Sequence, residues 1–264
     1  MIGFSADWLA LREPFDVRAR NPAVLAAVAS FLRPRSSVRI VDLACGTGST
    51  FRAVNRHVSA RQDWQLIDND PALLSRAATA LAINTAVRTV KFDLNGDLDA
   101  VLEGGVDLVT TSALLDLVSE RWVEQLALKL AARSIPLYAA LSYDGRTKFT
   151  LPDPFDGAIT SAVNTHQRTD KGFGPALGAG AATFAVARFE ALGYSVMHGA
   201  SDWVIAADDH DMQIQVLSGW TAAANDLGKL PLADTTAWLA RRRLAGGSFE
   251  VGHVDFFATP MTTR

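Results

Sequence analysis

The run IVDLACGTG at residues 40–48 constrains the fold of this chain more than any other feature. A short apolar stretch rich in β-branched residues ends at Asp42, two glycines follow at Gly46 and Gly48, and a helix-forming segment comes next. Glycine is needed where a backbone turns sharply or where a ligand approaches it closely. A strand that ends at an acid and leads through a glycine turn into a helix is typical of sites for nucleoside cofactors.

The acid indicates which cofactor is expected. The dinucleotide pattern G-x-G-x-x-G needs a glycine three residues after Gly48, but Phe51 stands there and would prevent close packing of helix on strand. A carboxylate at Asp42 would also repel a pyrophosphate. S-adenosylmethionine has no phosphate and carries an ammonium and a sulfonium, so the charges favour it. A P-loop is excluded because no Gly-Lys-Ser/Thr sequence occurs.

Four segments in register resemble the class I S-adenosylmethionine-dependent methyltransferases, over about residues 22–142. The first motif is DLACGTG at 42–48, with Ala44 in place of the first of the family's three glycines. The later segments are LIDNDP at 66–71, FDL at 92–94 and VDLVTTS at 106–112. The resemblance implies a Rossmann-like fold, S-adenosyl-L-methionine as cofactor and methyl transfer as the activity.

The resemblance also implies roles for single residues. Asp68 would accept hydrogen bonds from both ribose hydroxyls, which suits a carboxylate with two oxygens. Asn69 would lie beside the adenine, and Asp93 would reach the adenine amino group. The end of the fourth strand would lie beside the transferred methyl. The cofactor contacts expected in this way are Asp42, Ala44, Gly46, Gly48, Asp68, Asn69, Asp93, Leu94 and Ser112.

These residues have structural interpretations as well. The two glycines could simply form a turn, and Asp93 could be a surface acid of the loop 93–97. Asp70 and Pro71 are explained as the N-cap and first residue of a helix, which leaves Asp68 for a ligand. Cys45, the only cysteine, could be a nucleophile, but methyl transfer from a sulfonium needs no covalent intermediate, so a small turn residue is preferred.

Composition and charge indicate a cytoplasmic enzyme. The chain of 264 residues is 49% hydrophobic and 20% charged, enough for one large domain with a sizeable core. The net charge of -3 gives no field that would attract nucleic acid. The first twelve residues lack the apolar segment of a secretion signal, and no apolar stretch approaches the length of a membrane span. We therefore expect a small-molecule partner, no nucleic-acid or membrane partner, and a monomer or homodimer.

Strand and helix patterns alternate along the chain. Strands are predicted at 38–42, 63–68, 88–93, 106–111, 136–142, 194–199 and 249–259, and helices at 22–32, 49–58, 71–82, 120–132, 181–192, 209–225 and 233–244. This alternation predicts an α/β fold with a doubly wound, mostly parallel seven-stranded sheet, whose last strand is antiparallel by the resemblance. Ligands bind beyond the carboxyl ends of such strands, where Asp42, Asp68, Asp93 and Ser112 all lie.

We expect one methyltransferase domain over residues 1–264. Its parts are an N-terminal helical cap (1–35), a cofactor-binding core (36–142), a substrate-lid insert (143–179) and a C-terminal half with extra helices (180–264). Inserts of this length in a compact domain usually have a function, although a surface insertion without function is the alternative. Asp153 and Pro154 predict the start of its helix. The extra helices could close the cleft or form a dimer face.

The N-terminal segment carries a four-residue repeat of Trp8, Arg12, Asp16 and Arg20. Pro14 is expected to divide the segment into two short helices. Asp16 and Arg20 would form an ion pair one turn apart. Trp8 and Arg12 could instead cover the cofactor pocket, with Arg12 close to a carboxylate of cofactor or substrate.

Methyl transfer is an in-line displacement with a neutral leaving group, so alignment and exclusion of water matter most. A base is needed only if the acceptor loses a proton. His166 is the first base candidate, although a histidine on an apolar helix face is more often a packing residue and a helix C-terminus favours the imidazolium. Asp116 is the second candidate, with solvation of a helix edge as its alternative.

Substrate contacts are expected from six residues, among which Trp203 could equally pack between helix and sheet. They are Trp8, Arg12, His166, Gln167, Lys171 and Trp203. No metal site is expected, since the histidines lack ligand spacing, and no G-x-S-x-G motif of a hydrolase occurs.

The expected function is methyl transfer from S-adenosylmethionine to an oxygen or nitrogen of a small molecule. A protein that binds the cofactor without transferring the methyl is the main alternative. A nicotinamide-dependent oxidoreductase is disfavoured by Phe51 and Asp42.

Overall fold

The structure is a computed structural model that describes residues 4–78 and 85–261. Within these ranges the strands are β1 (Ser37–Leu43), β2 (Arg61–Asp68), β3 (Thr85–Lys91), β4 (Leu108–Ser112), β5 (Leu137–Phe149), β6 (Tyr194–Ala200), β7 (Trp203–Ile205) and β8 (Phe249–Pro260). The helices are α1 (Ala6–Ala19), α2 (Pro22–Leu32), α3 (Ser49–Asn55), α4 (Pro71–Ala77), α5 (Asp99–Leu102), α6 (Glu120–Ala132), α7 (Asp156–His166), α8 (Ala181–Ala191), α9 (His210–Asp226) and α10 (Leu232–Ala245). The end of the helix predicted at 71–82 lies outside the described residues.

The strands form one sheet in the order β3-β2-β1-β4-β5-β8-β6, and β7 also pairs with β8. The strands from β3 to β5 in this order are parallel, and β8 runs antiparallel to both β5 and β6. The α/β class, the mostly parallel sheet and the antiparallel last strand are therefore confirmed.

The predicted number of seven strands is wrong, because β7 adds an eighth. Asp202 Oδ1 accepts a hydrogen bond from the backbone N–H of His253 at 3.0 Å and so interrupts the edge of the sheet after β6. The chain then pairs again with β8, from Trp203 opposite Val251 to Ile205 opposite Phe249. Three residues are too few for a strand pattern to be seen in the sequence.

Helices cover both faces of the sheet, as a parallel sheet requires. Alternate residues of β1 point to opposite faces. Val41 and Leu43 pack in a core with α6 and α8, whereas Val38 and Ile40 pack in a second core with α2 and α3. A third core joins α1, α7, α9 and α10 to the ends of β5, β7 and β8.

Strand β5 is longer than predicted, since it continues from residue 142 to Phe149. The charged residues Asp144, Arg146 and Lys148 hid this extension, but they alternate with less exposed neighbours, as on a strand with one covered face. Phe149 pairs with Phe249 of β8, and their ring centroids lie 5.1 Å apart. The strand therefore enters the segment that the sequence assigned to the insert.

The N-terminal segment is one continuous helix, α1, so the predicted break at Pro14 is wrong. Burial of Phe15 and the ion pair of Arg12 with Asp16 span the proline turn and hold the helix together. The alternative pair of Asp16 with Arg20 does not form, because Arg20 is the C-cap residue and has left the helical conformation.

Helix α7 begins at Asp156, two residues after Pro154, the predicted first residue of the helix. Asp153 accepts a hydrogen bond from the N–H of Phe155 at 2.8 Å, and Asp156 accepts one from the N–H of Asp153 at 2.8 Å. These two bonds form a separate turn before the helix. No helix of the described ranges is long and apolar enough to cross a membrane.

Candidate functional site

A cavity of about 560 Å³ opens at the carboxyl ends of β1, β2 and β4. Its volume lies in the range of about 300–1,000 Å³ that is usual for small-molecule sites. Two walls enclose it. The strand-end wall consists of lining residues from 44–50, 68–73, 92–94 and 112–117, and the covering wall consists of α1 with Phe4 and the segment 166–173.

The glycine turn gives the strand-end wall an exposed backbone. Gly46 and Gly48 have φ values of +54° and +85°, in the left-handed region that glycine adopts without strain. Ala44 also has a positive φ, of 53°, which costs a residue with a Cβ about 1–2 kcal/mol. A Cβ on Gly46 would lie 3.1 Å from Leu9 Cδ1. The absence of a side chain at Gly46 therefore lets Leu9 of α1 approach the turn closely.

Asp68 lies at the end of β2 and lines the cavity. Its Oδ2 accepts the N–H of Gly46 at 2.8 Å, and its Oδ1 accepts the N–H of Asp70 at 3.0 Å. Each carboxylate oxygen can accept a further bond. Asn69 lines the cavity beside it, and Asp70 caps α4 as predicted by accepting the N–H of Ala72 at 2.8 Å.

Asp42 is fully buried and does not line the cavity. Thr110 Oγ1 donates to Asp42 Oδ1 at 2.7 Å, while Asp42 Oδ2 is buried without a hydrogen-bond partner. Burial raises the pKa of Asp42 to about 7, although the Thr110 hydrogen bond and the charge of Arg20 pull it down. β1 continues for one residue beyond Asp42, and this places the carboxylate beneath the turn.

Gly48 and Asp93, also expected as cofactor contacts, do not line the cavity. Gly48 is the N-cap residue of α3. Asp93 Oδ1 accepts two hydrogen bonds from Asn95, from the backbone N–H at 3.0 Å and from Nδ2 at 3.1 Å, so it closes its own loop. Its neighbours Phe92 and Leu94 line the cavity instead. Of the other expected contacts, Ala44, Gly46 and Ser112 line it as well.

In the covering wall, α1 contributes the buried ion pair of Arg12 and Asp16. Arg12 Nε lies 3.0 Å from Asp16 Oδ2, and Trp203 Nε1 donates to Asp16 Oδ1 at 2.9 Å. The Arg12 guanidinium carbon lies 4.7 Å from the centroid of the Trp203 ring and 6.0 Å from that of Trp8. The two tryptophans pack around the guanidinium and do not line the cavity.

The segment 166–173 supplies the rest of the covering wall, including His166, Gln167 and Lys171. His166 Nδ1 lies 3.3 Å from Lys171 Nζ, and His166 Nε2 lies 3.7 Å from Asp226 Oδ2. Burial lowers the pKa of His166, and the positive charge of Lys171 lowers it further. The charge of Asp226 opposes both effects, and the net shift favours the uncharged imidazole, whereas its place at the helix end had suggested a cation.

Asp116, the second base candidate, lies outside the cavity lining, in a 3-10 turn over Leu115–Leu117. It is 5% exposed, and its Oδ1 is buried without a partner. Burial raises its pKa to about 6. The geometry places this carboxyl group within the protein and not on a solvated helix edge.

Several lining residues were not predicted. Thr50 follows the glycine turn, and Phe173 lies in the covering segment. Arg20 lies beneath the cavity, where its Nη2 donates to Thr50 Oγ1 at 3.2 Å and to Ser112 Oγ at 3.5 Å. Thr50 could have been predicted, since it lies only two residues after Gly48 of the glycine motif. No local pattern predicts the contacts of Arg20, whose partners lie 30 and 92 positions away in the sequence. The described residues contain no group of three or more His, Cys, Asp or Glu side chains that could hold a metal ion.

The sequence matches no protein-family model and no curated protein. Solved structures are similar in fold. A cyclopropane-fatty-acyl-phospholipid synthase-like protein from Lactobacillus casei ATCC 334 has a TM-score of 0.55 and 14% identity, with 98% of this chain and 95% of that chain covered. The YcgJ protein from Bacillus subtilis has a TM-score of 0.50 and 13% identity, with 92% and 100% covered.

A candidate methyltransferase from Bacillus halodurans C-125 also has a TM-score of 0.50, with 12% identity and coverage of 90% and 100%. At these identities the likeness concerns the fold. The sheet order, the antiparallel β8 and the glycine turn after β1 agree with it. The chain has the Rossmann-like α/β fold of the class I S-adenosylmethionine-dependent methyltransferases.

Proposed function

We propose that this protein binds S-adenosylmethionine in the cavity and transfers its methyl group to an oxygen or nitrogen of a small molecule. The observation that carries the proposal is the meeting of the Gly46 backbone, the Asp68 carboxylate and Ser112 at one cavity, beyond the carboxyl ends of three strands. Ligands bind at this position in open α/β sheets.

The strand-end wall suits an adenosine group without phosphates. The Asp68 carboxylate lies at the cavity and would accept hydrogen bonds from ribose hydroxyls. Phe92, Leu94 and Leu73 provide apolar surface for the adenine. The Gly46 backbone lines the cavity and would lie beside the methionine part. Phe51 is buried against Trp64 with ring centroids 5.2 Å apart, so the third glycine of a dinucleotide site is missing. When bound, the cofactor supplies a methyl group on a sulfonium.

The covering wall would bind the acceptor and exclude water. Phe173 of this wall lines the same cavity as Leu114 and Leu117 of the strand-end wall, and the three side chains would surround an apolar group of the acceptor. We propose Arg12, His166, Gln167 and Lys171 as acceptor-side contacts, with α1 as the cap and the segment after β5 as the lid. The cavity volume, about 560 Å³, suits a cofactor with a small acceptor better than a macromolecule.

No side chain is proposed as an obligatory base. His166 Nδ1 faces the Lys171 ammonium, and Asp116 does not line the cavity. Alignment of the acceptor with the methyl group and exclusion of water would then supply most of the rate enhancement.

Two measurements test the proposal. S-adenosylhomocysteine should raise the thermal unfolding midpoint, and NAD should not. The protein with methyl-labelled S-adenosylmethionine should then label a component of the low-molecular-mass fraction of a cell extract. Stabilisation without any labelled product would favour a protein that only binds the cofactor, and stabilisation by NAD alone would favour an oxidoreductase.

A further inference from the structure

Two cationic side chains line the cavity, and only one of them forms an ion pair with an acidic side chain of the described residues. Arg12 lies in a buried ion pair with Asp16, at 3.0 Å. Lys171 lines the same cavity, but no carboxylate oxygen of the described residues lies within 4 Å of its Nζ. The covering wall therefore presents one ammonium group whose charge the described part of the protein does not balance directly.

The contacts of Lys171 Nζ are neutral groups. It donates to Thr169 Oγ1 at 2.9 Å and lies 3.3 Å from His166 Nδ1. An ammonium has three hydrogens, so these contacts leave one for a further acceptor. Thr169 Oγ1 in turn donates to the carbonyl oxygen of His166 at 2.8 Å, which fixes the hydroxyl beside the ammonium.

Two acids of the neighbouring segments, Asp170 and Asp226, form no ion pair with Lys171. Asp170 Oδ1 accepts the N–H of Gly172 at 2.7 Å and that of Gly174 at 3.0 Å, so this carboxylate closes the turn of its own loop. Asp226 Oδ2 lies 3.7 Å from His166 Nε2. An ammonium can only donate, so its contact with Nδ1 requires the imidazole tautomer that carries the proton on Nε2, on the side of Asp226. His166 thus holds Lys171 in place, and its Nδ1 is not free to accept a substrate proton.

Apolar side chains line the cavity into which this ammonium faces. Leu114, Leu117 and Phe173 share the cavity with Lys171, and Phe173 packs edge-on against Trp122 with ring centroids 5.9 Å apart. Burial lowers the pKa of Lys171, and the charge of Asp226 opposes this shift from a distance of more than 4 Å. A charge in such surroundings is stabilised by an anion that brings its own oxygen acceptors.

We infer that the methyl acceptor carries a carboxylate or phosphate group that pairs with Lys171, and an apolar body that lies against Leu114, Leu117 and Phe173. This inference rests on the proposed function, because it takes the cofactor to fill the part of the cavity at Gly46 and Asp68. Lys171 is then a residue that determines acceptor specificity, and His166 is a positioning residue that acts through it.

The test uses three probes with one ring and different head groups: benzoate, phenyl phosphate and benzamide. Each is titrated calorimetrically into the full chain saturated with S-adenosylhomocysteine. Wild-type protein should bind benzoate or phenyl phosphate at least about tenfold more tightly than benzamide, as expected for a charge-assisted hydrogen bond. The better of the two anions identifies the head group.

The variant Lys171→Met should lose the preference for the anion, and Lys171→Arg should retain most of it. Lys229→Met, which removes the same charge from an exposed site outside the cavity, is the matched control and should behave as wild type. His166→Ala should reduce the preference less than Lys171→Met does. Thermal unfolding confirms that each variant is folded.

The inference is overturned if benzamide binds as tightly as both anions, or if Lys171→Met keeps the preference. It is also overturned if Lys171→Met weakens S-adenosylhomocysteine binding as strongly as anion binding, since Lys171 would then contact the cofactor. The failure of the proposed function is different: wild-type protein would not bind S-adenosylhomocysteine, whatever the anions do.

Discussion

The two walls of the cavity are built in different ways. The strand-end wall depends on backbone geometry: positive φ at Ala44, Gly46 and Gly48, and backbone N–H groups that fix Asp68. The covering wall depends on side chains from distant segments, such as the contact of Asp16 with Trp203, 187 positions apart. This difference suits the proposed division of roles, in which the strand-end wall binds the cofactor and the covering wall contacts the acceptor.

The largest expected effect is on the covering wall. Asp16→Ala would leave the buried guanidinium of Arg12 without its carboxylate and remove the acceptor of Trp203 Nε1. We expect a loss of about 3–5 kcal/mol in the free energy of unfolding, measured in urea. Asp7→Ala on the same helix removes an ion pair whose carboxylate is 94% exposed and should change stability by less than about 0.5 kcal/mol. Similar losses in the two variants would contradict a buried pair.

The second prediction concerns the charge beneath the strand-end wall. The folded-state pKa of Asp42 is raised from 3.8 to about 7, so the folded protein holds a proton that the unfolded chain has released. Stability from this group is present below pH 4 and is lost as the pH rises toward 7. Asp42→Asn should therefore increase the free energy of unfolding by about 2–4 kcal/mol at pH 8.

The gain from Asp42→Asn should shrink between pH 7 and pH 4, and this pH dependence distinguishes the charge effect from a packing effect. Asp63→Asn, at the opposite end of β2, is the control and should give no comparable gain. A gain that does not change with pH would show that the charge of Asp42 is not what costs stability.

A smaller effect is expected where the walls meet. Asn95 Nδ2 donates to the carbonyl oxygen of Gly172 at 3.0 Å and so joins the loop after β3 to the covering segment. Asn95→Ala should cost about 1 kcal/mol locally, which corresponds to about fivefold faster amide exchange over residues 169–174. Exchange in β8 is the internal reference. Unchanged exchange in the loop would show that the two walls are not coupled there.

The smallest expected effect is at Ala44, which has a positive φ in the glycine turn. Ala44→Gly removes a strain of about 1–2 kcal/mol and adds about 0.5–1 kcal/mol of chain entropy cost. A net gain of about 0.5 kcal/mol in the free energy of unfolding is expected. Ala53→Gly in α3 is the opposite case, since a helical alanine should lose stability on the same change. Equal losses at both positions would show that Ala44 is unstrained.

The same contrast explains what could be predicted from sequence. Strand periodicity, the glycine turn and the cap at Asp70 are local, so the sheet and the position of Asp68 at the end of β2 were predicted correctly. The antiparallel last strand was implied by the resemblance and is also confirmed. Asp42 and Asp93 also lie at or after strand ends, but neither lines the cavity. Asp42 is turned away because β1 continues for one more residue, and Asp93 because its carboxylate binds Asn95. Sequence position alone does not contain that information.

The covering wall was predicted only in outline, because its partners are distant in sequence. Pro14 suggested a break, but the helix is held by contacts that no local pattern contains. Arg20 suggested an ion pair with Asp16 one turn away and instead forms hydrogen bonds with Tyr138, Thr50 and Ser112. Tertiary contacts determine the conformation and the partners of such side chains, and these contacts cannot be read from a single sequence.

The central claim is that the strand-end wall binds an adenosine cofactor through Asp68. Calorimetric titration of S-adenosylhomocysteine into wild-type protein, Asp68→Ala and Asp63→Ala tests it most directly. We expect saturable binding to wild type, an equal affinity for Asp63→Ala, and a loss of about 1–3 kcal/mol in binding free energy for Asp68→Ala. Absence of binding to the wild-type protein, or equal affinities for the two variants, would contradict the claim.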